Sequence, residues 1–152
     1  MTNKRYYQGQ YQVINKNKYK GDFDNVMYRS RWEALTFKWC DLNPDVVEWC
    51  SEEIVVPYMC RTDNKQHRYF VDLYLKFKNG KMLLVEIKPE VQIKEPKFNK
   101  KKKESTMLNE GLTYLKNMSK WDAAKTFAQD HGMSFQVWGE TALKSIGINI
   151  IK

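Results

Sequence analysis

The chain lacks several things that would settle its class at once. No apolar run nears the ~18 residues needed to cross a bilayer, and the opening MTNKRYYQGQYQ has no apolar stretch of the secretory kind. No membrane partner is expected. No Gly-rich loop of the phosphate-cradling type occurs, so no nucleotide cofactor is expected. The three cysteines, Cys40, Cys50 and Cys60, are widely spaced and lack the close pairing of a zinc site. The two histidines, His67 and His131, form no metal cluster with them on spacing, and both read as structural. There is no internal repeat and no clean linker. With 152 residues, 42% apolar and 14% aromatic, the chain is too rich in core formers to be disordered throughout. It reads as one domain over residues 1–152.

The charge is unevenly spread. The net charge is +8, and two strips hold all of the excess. Residues 1–20 carry Lys4, Arg5, Lys16, Lys18 and Lys20 with no acid. Residues 88–103 carry seven lysines and two glutamates. The rest of the chain has 14 basic and 16 acidic residues. A nearly neutral body with two basic strips suits a polyanion, most often nucleic acid. The same strips also read as a solvated tail and a solvated loop.

Residues 1–22, with Tyr6, Tyr7, Tyr11 and Tyr19, read as an extended basic and aromatic arm that packs on the body or on a partner. Ser30 and Glu33 form a capping box opening a helix, with Trp32, Leu35 and Trp39 toward the core. Asn43-Pro44 ends that region. Strands are expected over 46–50 and 54–58, then over 70–77 and 81–88 as a hairpin around Asn79-Gly80. Residues 89–104 form a basic loop containing Pro89 and Pro96. Leu108, Leu112 and Leu115 mark an amphipathic helix, and Ser119 begins another. A strand at 134–138 and a short helix at 141–146 follow. The order predicts an α/β fold, a mixed sheet flanked by helices.

Hairpin register carries the chemistry. A two-residue loop would scramble both faces. A three-residue loop, Lys78-Asn79-Gly80 with Gly80 left-handed, sets Phe77 opposite Lys81 and Asp72 opposite Glu86. Val71, Leu73, Leu75 and Phe77 then share an apolar face with Leu83, Val85 and Ile87. The other face becomes polar at its far end, at Asp72, Glu86 and Lys88. Opposed carboxylates have Cβ atoms about 5 Å apart and repel unless a cation sits between them or one is protonated. Mg²⁺ suits oxygen ligands with room for water and phosphate; Mn²⁺ is its alternative. Lys88 beside the metal would place the attacking water or steady the phosphate. The arrangement reads as metal-assisted phosphodiester hydrolysis. A surface ion pair, Glu86 with Lys88 or Asp72 with Arg68, is the alternative. Glu33 has two competing roles, completing the capping box and reaching the metal.

His67-Arg68-Tyr69-Phe70-Val71-Asp72 followed by Leu84-Val85-Glu86-Ile87-Lys88-Pro89 resembles the PD-(D/E)xK nuclease signature. Lys18-Tyr19-Lys20-Gly21-Asp22 and Tyr28-Arg29-Ser30-Arg31-Trp32-Glu33 resemble a narrower group, the head completion nucleases of T4-like phages, which are similar to the endonuclease subunit of the Tn7 transposase. The resemblance runs from about Lys16 to Trp138. It implies a restriction-endonuclease-like core (αβββαβ). It implies that Asp72, Glu86 and Glu33 bind Mg²⁺ and that Lys88 is the catalytic lysine. It also implies action on double-stranded DNA at a filled phage head before the tail joins, in the host cytoplasm or the virion, with portal or neck proteins as partners. The signature's proline before the aspartate is Val71 here. Lys16, Lys18, Lys20, Lys94, Lys97, Lys100, Lys101, Lys102 and Lys103 are the candidates for holding the DNA backbone. A DNA-binding or head–neck connector protein on the same fold, without catalysis, is the other reading.

Overall fold

The structure, a computed structural model, describes residues 8–151. Lys4, Arg5, Tyr6 and Tyr7 of the expected arm lie outside the described residues. In chain order the elements are β1 (Gly9–Gln10), β2 (Met27–Tyr28), α1 (Arg31–Leu42), β3 (Val46–Cys50), β4 (Val55–Met59), β5 (Gln66–Phe70), β6 (Leu73–Phe77), β7 (Met82–Ile87), α2 (Glu90–Ile93), α3 (Glu104–Asp130), β8 (Ser134–Trp138) and α4 (Glu140–Ser145). The central sheet has the order β3-β6-β7-β8. Its first three strands are antiparallel, and β8 runs parallel to β7. A parallel neighbour needs a crossover, and α2 and α3 provide it. This is a mixed α/β sheet with helices, of the kind the sequence predicts. The β4–β5 hairpin forms its own two-stranded sheet, inserted between the first two core strands.

The hairpin register follows the three-residue loop. Leu73 faces Val85, Leu75 faces Leu83 and Lys76 faces Met82. The Phe77 N–H donates to the Lys81 carbonyl at 2.8 Å, and Gly80 sits at φ +90°. Only glycine takes that backbone without strain. The expected strand from Phe70 to Phe77 is broken at Val71–Asp72. Val71 still pairs with the inserted hairpin, its N–H donating to Ile54 and its carbonyl accepting from Glu52. The chain changes sheets at Asp72. The face expected to become polar at its far end is also covered: Tyr74, Leu84 and, at that end, Glu86 are buried. One face lies against α1, where Trp39 meets Phe77 and Trp138 edge-on. The other lies toward α3, whose Lys120 stands over Tyr69.

Several boundaries differ from expectation. Residues 104–130 form one helix, not two. Ser119 is no cap: its hydroxyl donates to the Leu115 carbonyl and accepts from the Arg61 N–H, so the helix passes through it. Every buried residue of α3 lies from Asn117 onward, so its first half overhangs the sheet. Leu108, Leu112 and Leu115 are therefore exposed rather than core. In α1 the fully enclosed positions are Thr36, Phe37, Cys40 and Asp41, while Trp32, Leu35 and Trp39 pack half-buried at the core's edge.

The described part of the arm packs on the body. Tyr11 and Tyr19 meet Trp49 edge-to-face, and Tyr11 also meets Phe37. The arm is fastened to the last turn of α1. Asp41, fully buried, accepts from the Tyr11 hydroxyl (2.8 Å) and from the N–H groups of Ile14 (2.8 Å) and Asn15 (3.0 Å). The Lys18 ammonium donates at 2.9 Å to the carbonyls of Cys40, Asp41 and Asn43. A cation there answers carbonyls that the helix end leaves unpaired.

Candidate active site

Three elements converge on the carboxylates. Ser30 caps α1 through the Glu33 N–H (3.1 Å). The Glu33 carboxylate turns back one residue further than a capping box requires, accepting from the Arg29 N–H at 3.0 Å. It is held against the residue before the cap and lies close enough to Glu86 to feel its charge. Burial first, then Glu52 and Glu86, raise its carboxyl above the ordinary range. The reciprocal half of the expected capping box is therefore not made: Ser30 caps the Glu33 N–H, but the Glu33 carboxylate bonds Arg29 instead of Ser30.

Asp72 sits at the corner between sheets. Its Oδ2 accepts the Ile87 N–H at 2.9 Å, standing in for a main-chain acceptor. Its Oδ1 takes no hydrogen bond among the described residues. Burial holds its carboxyl well above the usual carboxylate range, and the neighbouring Glu86 and Glu33 push the same way. Glu86, on β7, is 7% exposed. Its Oε1 accepts from the Tyr69 hydroxyl, and its Oε2 lies 3.5 Å from the Lys88 ammonium. Lys88 follows directly on β7 and is fixed by its N–H to the Trp138 carbonyl at 3.0 Å. The strand pairing expected to set Asp72 opposite Glu86 does not reach Asp72, but Glu86 still lies close enough for its charge to act on the Asp72 carboxyl.

Sequence reasoning missed four residues around this cluster. Tyr69 holds Glu86 from the inserted hairpin. Arg29 grips Glu52 with two bonds, of 2.8 and 3.0 Å, beside Glu33 and Asp72. Glu52, at φ +57°, adds a further carboxylate. Lys120 on α3 stands 5.5 Å from the Tyr69 ring centre. Burial lowers its ammonium from the ordinary value, and Glu86 pulls it partly back. Alternation within a strand marks Glu86 and Asp72; nothing local marks a lysine that comes from a distant helix.

The donor set fits a hard divalent cation. It consists of carboxylate oxygens, Asp72 Oδ1 and Glu33 Oε2 among them without a hydrogen bond among the described residues, and a cation would relieve the carboxylates' mutual repulsion. Glu33, Asp72 and Glu86 would be the ligands.

The proposed DNA lysines divide into two groups. Lys94, Lys97, Lys100, Lys101 and Lys103 are exposed, as is Lys102, which pairs with Glu110 at 2.9 Å. Lys16 lies over the Phe23 ring at 5.1 Å, and Lys20 is 3.6 Å from Glu48. Lys18 is a correction. Its ammonium is committed to the end of α1, where the three carbonyls take all three of its donors. His131 behaves as a structural residue, its ring bonded to the Phe127 carbonyl and stacked on the Phe127 ring. His67 is the second correction, since the fold brings it beside Cys60 and Asp63.

Comparison with known proteins bears on this geometry. The family described as TnsA-like endonuclease N terminal matches residues 43–140. That stretch contains Asp72, Glu86 and Lys88; Glu33 lies before it. The head completion nuclease of Enterobacteria phage T4 is 35% identical over 144 residues, covering 93% of this chain and 96% of that protein. No solved structure matches.

Proposed function

The chain belongs to the TnsA-like endonuclease N-terminal family, and from that premise we propose that it is a Mg²⁺-dependent DNA nuclease acting in phage head completion. The observation that carries the chemistry is the gathering of Glu33, Asp72 and Glu86 with Lys88 at 3.5 Å from Glu86. Bound Mg²⁺, with Mn²⁺ as its substitute, would supply Lewis acidity and a water of lowered pKa. Glu33, Asp72 and Glu86 would hold it. Tyr69 fixes the Glu86 carboxylate so that its other oxygen faces Lys88 and the site. Lys88 is placed to orient the attacking water or to steady charge on the phosphate. Lys120 adds a second ammonium on the α3 side, where a phosphate would meet it. The exposed lysines between α2 and α3 would hold double-stranded DNA by its backbone, without reading sequence. The similarity to the phage nuclease supports action at a filled head, in the host cytoplasm or the virion, with portal or neck proteins as partners.

The test is cleavage of double-stranded DNA by the purified protein, with Mg²⁺ and with EDTA, comparing wild type with Glu86→Ala. Cleavage that needs the metal and is lost in the variant is expected. Tight, salt-sensitive binding without cleavage by wild type would instead favour a DNA-binding or connector role.

A further inference from the structure

The turn of the β4–β5 hairpin gathers a second set of metal-binding groups, of different chemistry from the carboxylate site. Cys60 closes β4, Asp63 lies in the turn and His67 lies on β5. One ligand atom from each lies within 4.8 Å of the others. The turn is firmly built. The Cys60 N–H donates to the Lys65 carbonyl at 2.9 Å, and the Asn64 N–H donates to the Cys60 carbonyl at 2.8 Å. Asn64 takes the left-handed φ of +55° that this closure needs. The turn is also fastened to α3. Its Arg61 N–H donates to the Ser119 hydroxyl at 3.1 Å, and the Arg61 guanidinium pairs with Asp122.

Each side chain is held toward the others. Asp63 Oδ1 accepts the Lys65 N–H at 2.9 Å, which aims Oδ2 at His67 Nε2, 2.7 Å away. The His67 ring stacks on Tyr58, with centres 5.6 Å apart. Cys60 Sγ lies 3.1 Å from the Thr62 hydroxyl and is only 1% exposed as a residue.

We propose that Cys60, Asp63 and His67 form a second metal site, one that takes a zinc-type cation with water as the fourth ligand. Sulfur, imidazole nitrogen and one carboxylate oxygen are the donors that zinc prefers and that Mg²⁺ does not. Ligands around tetrahedral zinc stand about 3.3–3.8 Å apart, given bonds of about 2.0–2.3 Å. To reach that spacing the Asp63 Oδ2–His67 Nε2 pair, now at 2.7 Å, must open by about 0.6 Å, while the Cys60 sulfur lies within 4.8 Å of both. An ion there would tie the hairpin turn shut. It would steady β5, which two residues beyond His67 presents Tyr69 to Glu86. The site does not depend on the nuclease reading.

Co²⁺ is the probe, titrated into the full chain freed of metal. A thiolate-to-cobalt charge-transfer band that saturates near one equivalent is expected in wild type. It should be lost in Cys60→Ser, and should shift and weaken in Asp63→Asn and His67→Gln. It should remain in Glu86→Ala, which removes a carboxylate of the other site. Zn²⁺ should raise the melting temperature of wild type and leave that of Cys60→Ser unmoved. A folded wild type that shows no charge-transfer band overturns the proposal. So does a band that survives in Cys60→Ser, which would place the ion on Cys40 or Cys50.

Discussion

Asp41 and Asp72 are two aspartates drawn away from water, and the chain treats them in opposite ways. Asp41 accepts one hydroxyl and two N–H groups, and the Lys18 ammonium sits on the carbonyls beside it. Asp72 accepts a single N–H and faces two further carboxylates. Donors surround the first, so its charge fastens the arm to the helix. Donors are short at the second, so its charge repels its neighbours unless a proton or a cation answers it. Burial alone does not distinguish an anchor from an active site. The count of donors against the count of like charges does.

The sharpest way to break the comparison is Asp72→Asn. Losing a carboxylate of the proposed metal site should remove several kcal/mol of transition-state stabilisation, a fall of about 10³-fold or more in cleavage rate. Stability in urea should hold or rise, because a repelling charge has gone. Asp41→Ala should do the reverse. It leaves buried donors unmatched and should cost about 3 kcal/mol in a urea melt. Cleavage should persist at temperatures below the lowered melting point. A folded Asp41→Ala without activity, or an Asp72→Asn that unfolds, would defeat the contrast.

A pH series sharpens it further. The Asp72 carboxyl is raised in the folded state, so the folded protein binds the extra proton. Metal-free stability should therefore fall as pH rises from about 4, the ordinary carboxylate value, through the raised one. Asp72→Asn, or saturating Mg²⁺, should flatten that fall. A metal-free wild type whose stability is level across this window would contradict the crowding of charge at the site.

The smallest effects separate the lysines. Lys18→Met should cost about 1 kcal/mol in stability and leave the salt dependence of DNA binding unchanged. Replacing Lys94, Lys97 and Lys100 together with alanine should leave stability unchanged and reduce the salt slope by about three. An unchanged slope would remove that strip from the interface.

The sequence made local features legible. Gly80 and the alternation around it defined the hairpin register, and with it the approach of Asp72 to Glu86. Ser30 and Glu33 marked the start of α1. What escaped depended on distant partners. Ser119 looked like a cap because its hydroxyl can serve one; only the arrival of Arg61 shows how it is used. Leu108, Leu112 and Leu115 have core spacing, but the sheet ends before they can reach it. Lys18 sits in a basic run like any DNA-binding lysine, and only the end of α1 distinguishes it. His67 and Cys60 are not close in sequence in any zinc-like pattern, and the turn between them closes the gap.

The inserted hairpin leaves and rejoins the core at adjacent points, its stem clasped by hydrogen bonds of 3.1 Å from Glu52 to Val71 and 3.0 Å from Val71 to Ile54. That clasp makes residues 52–71 a side branch of the chain's route. Closing such a branch costs only logarithmically in its length, and what passes between it and the central sheet passes through side chains, Tyr69 on Glu86 of β7 and Arg61 on α3. The stem keeps Asp72 at its corner and Tyr69 within reach of Glu86, so the branch meets the site at two points although the chain's route passes it by.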